Sequence, residues 1–254
     1  MKASLRLLLP LLFALGWSFP LLAFDLQYGS WNAVLEQAWH QQGHQTYLDY
    51  ASLKADRTSL NRATEEFRRL DRAQFDSWNE SQQLAFWINA YNLFSVQLVV
   101  EHYPVESIKE IGPFYRSPFG LEFFQLFGQD YSLDEIEHQK LRAQFTERRI
   151  HFALVCASLS CPNLIREPYR AETLEQQLET SLRAFLKDPN KNRQEAGRLK
   201  LSKIFDWFDE DFESLPGGLS GFISPRWPAA KPLIEAEKIE WLEYDWSLND
   251  WNRK

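Results

Sequence analysis

The sequence predicts an α+β protein that is mostly helical and carries a small antiparallel sheet. Apolar residues recur at helical spacing in several long segments, whereas segments with an alternating, strand-like pattern are few, short and scattered. Only 10 of the 254 residues are glycine, which disfavours a turn-rich all-β fold. Hydrophobic residues make up 44% of the chain and aromatic residues 15%, which argues against a disordered protein.

The hydrophobic pattern also gives the order of the elements. A single apolar face predicts a helix over 30–42, which Gly43 is placed to end. The longest helix is expected over 79–101, and Pro104 follows it. Further helices are predicted at 57–70, 133–142, 173–186 and 202–212, and strands at 121–127, 150–156, 199–201 and 239–246.

The N-terminus has the pattern of a secretory signal peptide. Lys2 and Arg6 supply a basic start, the segment 7–24 is almost continuously apolar, and Ala23 is a small residue before a cleavage point. An uncleaved membrane anchor is the alternative, because an apolar segment of this length just reaches across a bilayer. The prolines, glycine and serine inside the segment favour a signal peptide.

We therefore predict a signal peptide over 1–23 and a single globular domain over 24–254, in a periplasmic or secreted protein. Removing 1–23 takes away two positive charges and no acidic residue, so the formal net charge changes from −7 to −9. An acidic surface disfavours nucleic acid and anionic lipid as partners. The expected partner is an envelope substrate or protein, with membrane contact only if the N-terminal segment is retained. No motif indicates a cofactor.

Five segments together resemble one protein family. They are FWINAYNLF at 86–94, SLDEIEHQKLR at 132–142, IHFALVCASLSCPNL at 150–164, LSKIFDWFDEDF at 201–212 and YDWSLN at 244–249. The sequence is similar in these segments to the domain-of-unknown-function 547 family, which includes bacterial envelope proteins. The resemblance covers roughly residues 45–249. It implies no particular reaction, so the site has to be argued from the residues themselves.

The segment 150–162, IHFALVCASLSCP, holds both cysteines of the chain and is the first place to look for chemistry. A disulfide between Cys156 and Cys161 is one interpretation, because the predicted compartment is oxidising and these two thiols have only each other as partners. The four residues between them are short enough to bring the two Cα atoms within bridging distance. Closing so small a loop stabilises the protein by only about 2 kcal/mol.

A cysteine-dependent hydrolase or acyl transferase, papain- or transglutaminase-like and acting on amide or ester bonds, is the second interpretation. Cys156 is then the nucleophile and needs a base. His151 precedes it by five residues, and in a regular strand the two side chains point to opposite faces. His138, on the helix predicted over 133–142, is the other candidate base.

Two further interpretations of the cysteines remain open. His138, His151, Cys156 and Cys161 are ligand types that suit zinc, although their spacing matches no zinc signature. A buried thiol without chemical function is the last alternative. These possibilities leave two hypotheses, an enzyme and a non-catalytic envelope binding module whose disulfide stiffens a loop beside an aromatic cleft.

Asn89 and Asn92 place two amides on the longest helix among apolar neighbours. Buried amides are costly unless they are hydrogen-bonded. We expect them to tie the helix to irregular backbone in 105–131. In the enzyme hypothesis, Asn89 also lines the cleft as a donor that polarises the substrate carbonyl.

Overall fold

A computed structural model of the chain describes residues 23–254, in which helices dominate and the strands form small sheets. The predicted signal peptide therefore lies outside the described residues, apart from Ala23. The predicted α+β class is confirmed. The helices are α1 (Gly29–Ala38), α2 (Tyr50–Ala55), α3 (Thr58–Arg68), α4 (Arg72–Asp76), α5 (Glu80–His102), α6 (Leu174–Lys187), α7 (Ile204–Trp207), α8 (Asp209–Glu213), α9 (Gly218–Ile223) and α10 (Lys231–Glu235).

The strands form two hairpins and one three-stranded sheet within the described part of the chain. They are β1 (Trp39–Gln42), β2 (Gln45–Leu48), β3 (Phe124–Leu126), β4 (Gln129–Tyr131), β5 (Arg193–Glu195), β6 (Arg198–Leu201) and β7 (Ile239–Trp241). β1 pairs antiparallel with β2, β3 with β4, and β5 with β6. The prediction of an antiparallel sheet misses one pair, because β7 runs parallel to β6.

Helix α5 is the centre of the larger hydrophobic cluster. It starts at a capping box formed by Asn79 and Gln82, and its residues 84–100 are all buried. A helix that is buried on every side must satisfy its polar side chains internally. Asn89 and Asn92, both almost fully buried, are the polar side chains on which the site geometry depends.

The side chains of the two asparagines hydrogen-bond to backbone groups, as predicted, but these groups lie outside the predicted segment 105–131. The Asn92 amide donates to the Ala153 carbonyl and accepts from the Val155 N–H, both at 2.9 Å. Asn89 bonds Tyr169 in the same way, donating to its carbonyl at 2.7 Å and accepting from its N–H at 3.0 Å. The expected ties to 105–131 are therefore wrong, and α5 instead fixes the chain on either side of the cysteines.

The prediction of a strand over 150–156 is wrong for the same reason. Arg148–Phe152 is a turn of 3₁₀ helix, and the Val155 N–H is used by the Asn92 side chain instead of by a neighbouring strand. The backbone of this segment finds hydrogen-bond partners without pairing with another strand, so its strand-like composition does not decide its structure.

Other differences concern where elements end. The helix predicted over 30–42 stops at Ala38, because residues 39–42 pair with β2. The helix predicted over 202–212 is divided into α7 and α8, and the strand predicted over 239–246 is limited to its first three residues. The remaining predicted helices and strands are present with small shifts at their ends.

The helix predicted over 133–142 is present but is wound more widely than an α-helix. Ser132 and Glu135 form its capping box through bonds of 2.8 Å and 3.2 Å, and Glu135–Arg142 is π-helical. π-helical turns are rare in proteins, and those that do occur often lie at functional sites. We refer to Glu135–Arg142 as the π segment.

Between residues 23 and 254, no helix combines the length and the apolar character that crossing a bilayer requires.

The hydrogen bonds of Asn92 predict a large stability effect. In Asn92→Ala, the buried N–H of Val155 and carbonyl of Ala153 lose their partners, so the free energy of unfolding should fall by about 2–4 kcal/mol. Asn61→Ala, at an exposed position of α3, is the control and should change it by less than about 0.5 kcal/mol. Urea unfolding measures both. Equal midpoints for the two variants would show that Asn92 does not hold the 153–155 backbone.

Candidate functional site

A cleft of about 180 Å³ brings together most of the chemically active side chains that the sequence singles out. His138, His151, Cys156 and Cys161 all line it, although they come from separate elements. A larger groove of about 1060 Å³ lies along α1 and α3 but contains none of these residues. Because perturbed titratable groups and the two sulfurs converge on the smaller cleft, we take it as the candidate site.

The two cysteines are bonded to each other. Their sulfur atoms are 2.08 Å apart and their Cα atoms 6.0 Å apart, so the predicted disulfide is confirmed. Cys156 is partly exposed at the cleft wall, whereas Cys161 is buried. Ala157 has a left-handed backbone with φ of 61°, which turns the loop back towards Cys161.

Three hydrogen-bond donors surround the sulfur of Cys161. The Cys156 N–H lies 2.9 Å from it, the Tyr244 hydroxyl 3.3 Å and the Ser158 hydroxyl 3.4 Å. The Tyr244 and Ser158 hydroxyls also lie 3.3 Å from the sulfur of Cys156. The disulfide is therefore set in a polar environment, although Cys161 itself is almost fully buried.

The segment after β7 holds Tyr244 in place by pairing with the cysteine loop. Ser160 N–H donates to the Asp245 carbonyl at 3.1 Å, and Leu159 N–H donates to the Ser247 carbonyl at 2.9 Å. These bonds fix Tyr244 beside the sulfur atoms. Sequence reasoning missed this role, since nothing in the local pattern shows that residues 86 positions apart are paired.

Glu137, on the π segment, is the most strongly perturbed acid in the cleft. Burial, reinforced by the nearby charge of Asp134, raises its pKa from the ordinary 4.5 to about 7, against the opposing effects of Arg142 and the Tyr91 hydroxyl. Its side chain is only 14% exposed. At neutral pH the carboxyl group therefore exists in both protonation states and can exchange a proton with a ligand.

His151 lies behind Glu137 with a completely buried side chain. Its Nε2 is 2.7 Å from a carboxylate oxygen of Asp211, and its ring stacks on Phe208 at 4.0 Å. Burial lowers its pKa, and this outweighs the opposite effect of Asp211. The neutral ring with its N–H towards Asp211 leaves Nδ1 as a bare acceptor, without a hydrogen-bond partner and 4.0 Å from Glu137.

Asp211, on α8, anchors this group and was not predicted from the sequence. Burial alone raises its pKa, but hydrogen bonds from His151 and from Arg142, the latter at 2.7 Å, hold the pKa well below its usual range. Arg148 approaches its second oxygen at 3.5 Å. Asp211 is therefore a fixed negative charge, while Glu137 is the group that titrates. Environments that push two carboxyl pKa values apart are typical of acid–base sites.

His138 lies on the outer side of the cleft and is exposed. Arg142 donates to its Nδ1 at 3.0 Å. Partial burial and the Arg142 charge lower its pKa. Asp134, one helical turn before His138, affects its pKa only through its charge and opposes this lowering.

The prediction that His151 and Cys156 point to opposite faces of a strand is wrong, because residues 148–152 form a turn of 3₁₀ helix. Both side chains line the cleft. Their hydrogen bonds nevertheless go elsewhere: His151 bonds Asp211, and the sulfur of Cys156 contacts the Ser158 and Tyr244 hydroxyls. Neither His151 nor His138 makes a hydrogen bond to a sulfur atom.

Asn89 is not brought to the cleft. Its amide is fully buried and is used by the backbone of Tyr169, and it does not belong to the lining residues. Asn89 instead connects α5 to the loop before α6 through its two hydrogen bonds to Tyr169.

The part of the chain that contains Glu137, His151 and both cysteines is similar to a known protein family. Residues 75–186 match the model of a family described as "Protein of unknown function, DUF547". We refer to residues 75–186, which are similar to this family, as the DUF547 region. No curated protein matched the chain. No solved structure matched it either.

The DUF547 region supplies only part of the cleft. It contains Glu137, His151 and both cysteines, whereas Asp211 and Tyr244 lie beyond residue 186. The complete site therefore depends on the C-terminal segments packing against the DUF547 region.

An aromatic cluster forms the mouth of the cleft. Trp207 is 46% exposed, and its ring lies 4.7 Å from that of Tyr244, which in turn lies 4.6 Å from Trp246. Lys109 lies 4.9 Å from the ring of Trp246. Flat apolar surfaces beside polar groups suit an organic ligand that has an apolar face.

The zinc interpretation finds no support in the geometry, since the two sulfurs that it needs are bonded to each other. Over 23–254, no group of three or more histidine, cysteine, aspartate or glutamate side chains is arranged to hold a metal ion.

The raised pKa of Glu137 predicts how stability changes with pH. Folding favours the protonated carboxyl, so this contribution is fully present below pH 4.5 and is lost as the pH rises to about 7. Glu137→Gln mimics the protonated form. Its stability relative to the wild type should therefore rise by up to about 3 kcal/mol between pH 4.5 and pH 8.

Unfolding curves of both proteins at several pH values measure this difference. Glu80→Gln, at an exposed position at the start of α5, serves as the control. A Glu137→Gln difference that stays constant across the pH range would contradict the raised pKa.

Proposed function

We propose that the protein is a cysteine-dependent hydrolase or acyl transferase that acts on amide or ester bonds in the bacterial envelope. Cys156, in its reduced form, is the nucleophile. Glu137 is the general acid and base, in place of His138 or His151, which the sequence predicts for this role. The observation that carries the proposal is that Glu137 lines the same cleft as Cys156. Burial raises the pKa of the Glu137 carboxyl group to about 7, which suits an acid and base at neutral pH.

A proton acceptor is most efficient when its pKa is close to the working pH. An ordinary glutamate is too acidic to hold a proton at pH 7, whereas Glu137 is raised into this range by burial and Asp134. It can therefore accept the proton of a thiol and return it to a leaving group within one reaction cycle.

The reaction starts from the chain in which a thiol reductant has opened the disulfide. Glu137 takes the proton of the Cys156 thiol, and the sulfur attacks the carbonyl carbon of the substrate. The carbonyl oxygen becomes an oxyanion. Glu137 then protonates the leaving alcohol or amine as the carbon–oxygen or carbon–nitrogen bond breaks. Water releases the acid from the thioester in a hydrolase, and an amine or alcohol takes its place in an acyl transferase.

The Tyr244 hydroxyl suits the role of oxyanion donor. It lies 3.3 Å from the sulfur that attacks, and burial raises its pKa so that it keeps its proton at neutral pH. A neutral hydroxyl at this position can hydrogen-bond first to the thiolate and then to the oxyanion that forms on the carbonyl oxygen.

His151 acts as a positioning residue in this scheme. Asp211 fixes its ring and its tautomer, which leaves the bare Nδ1 facing Glu137 across 4.0 Å. A small approach of the protonated Glu137 would form a hydrogen bond to this nitrogen. The buried pair therefore supports a Glu137 carboxyl group that gains and loses its proton without leaving the cleft.

A non-catalytic envelope binding module is the second candidate. It is favoured by the closed disulfide, which leaves no free cysteine between residues 23 and 254. In this case the bridge stiffens the loop beside the aromatic mouth formed by Trp207, Tyr244 and Trp246, and the cleft holds a ligand without transforming it.

Hydrolysis of p-nitrophenyl acetate by the chain after reduction with dithiothreitol tests the enzyme. Cys156→Ser should abolish turnover, and Glu137→Gln should lower kcat about 100-fold, because general acid–base catalysis is lost. The rate of the wild type should depend on an ionisation near pH 7 that is absent in Glu137→Gln. Glu80→Gln is the matched control and should retain the wild-type rate.

Mass spectrometry of the quenched reaction should find the acetyl group on Cys156. Acetylation elsewhere, or equal turnover by Cys156→Ser, would contradict the proposed nucleophile and favour the binding module.

A further inference from the structure

The disulfide is unusual in its position, since it forms part of the wall of a cleft instead of a buried staple. Both cysteines line the cleft, but Cys156 is partly exposed whereas only 1% of the Cys161 surface is exposed. A thiol in the cleft is therefore expected to reach the sulfur of Cys156 more readily than that of Cys161.

We propose that the Cys156–Cys161 bridge is a thiol–disulfide exchange site, whose substrates are small thiols or cysteine-bearing peptides that enter the cleft. The proposal concerns the oxidised chain and does not depend on hydrolysis. It adds a second activity, and it also supplies the step that releases Cys156 for the first.

The exchange balances with the substrate thiol as the reductant. The substrate thiolate attacks the sulfur of Cys156, forms a mixed disulfide with it and breaks the bond to Cys161, which leaves as a thiolate. A second substrate thiolate then attacks the mixed disulfide, releases Cys156 as a thiolate and gives the substrate disulfide. Two thiols have been oxidised and one protein disulfide reduced, and a disulfide substrate reverses the sequence.

The surroundings of Cys161 fit the leaving group of the first step. The Cys156 N–H and the hydroxyls of Ser158 and Tyr244 lie 2.9–3.4 Å from its sulfur. All three can donate hydrogen bonds, which stabilise a negative charge more than a neutral sulfur. A thiolate that is stabilised in this way leaves faster, because exchange rates rise as the pKa of the leaving thiol falls.

The cleft also provides an acceptor for the proton of the substrate thiol. Glu137 lines the cleft together with both cysteines, and its charge acts on the Tyr244 hydroxyl that touches the sulfurs. A substrate thiol that enters the cleft can give its proton to this carboxylate as it becomes the attacking thiolate.

The two sulfurs should differ sharply in reactivity. In Cys161→Ser, the remaining Cys156 should form a mixed disulfide with oxidised glutathione. In Cys156→Ser, the buried Cys161 should react at least about tenfold more slowly under the same native conditions. Mass spectrometry of the adducts measures both rates. Equal rates, or no adduct on Cys156, would overturn the assignment of Cys156 as the attacked sulfur.

The oxidised wild-type chain gives a test that keeps the bridge. Incubation with reduced glutathione should yield oxidised glutathione and the dithiol form of the protein. Tyr244→Phe should slow the opening about tenfold, because one donor to the leaving sulfur is lost. Tyr115→Phe, at a tyrosine that is 77% exposed, is the matched control and should open at the wild-type rate.

A bridge that stays closed under native conditions in millimolar glutathione would overturn the proposal, as would a Tyr244→Phe chain that opens as fast as the control. No ester is present in these assays. Failure of exchange is therefore distinguished from failure of hydrolysis, which is measured on chain that dithiothreitol has already reduced.

Discussion

The site depends on the need to satisfy the Asn92 amide inside the core. Helix α5 is buried all along residues 84–100, so Asn92 has to find its partners in protein backbone. It takes the Ala153 carbonyl and the Val155 N–H, and this prevents the segment from joining a sheet. The result is an irregular stretch whose two ends carry His151 and Cys156, both facing the same cleft. His151 and Cys156 lie in irregular structure, but α5 fixes their position through Asn92.

Charge is distributed in the cleft so that one carboxyl group titrates and the other does not. Asp211 receives hydrogen bonds from His151 and Arg142 and remains ionised, whereas Glu137 is desolvated and shares its surroundings with other negative groups. The two sulfurs line the same small space as Glu137 and lie beside the Tyr244 hydroxyl. Proton exchange and sulfur chemistry are therefore brought within one cavity, which is the arrangement that both proposed activities use.

The sequence predicts well what local pattern decides. Periodicity finds α5 and α6, the capping residues mark the start of the π segment, and the spacing of two cysteines in an otherwise cysteine-free chain indicates their bond. It fails where tertiary contacts override pattern. The segment 150–156 has strand composition but is held by Asn92, and Asp211 and Tyr244 join the DUF547 cleft from positions that no spacing rule connects to it. Asn89, which resembles a catalytic amide in sequence, is used by the Tyr169 backbone.

The protonation of the Glu137 carboxyl group is the central claim, because the proposed hydrolysis or acyl transfer needs this group to exchange a proton near neutral pH. A ¹³C NMR titration of the side-chain carboxyl signals, with the Glu137 signal identified by its loss in Glu137→Gln, measures this pKa in the folded chain. The account predicts a midpoint close to the value of about 7 that its buried position gives. A midpoint near 4.5, the ordinary value of a glutamate, would contradict it.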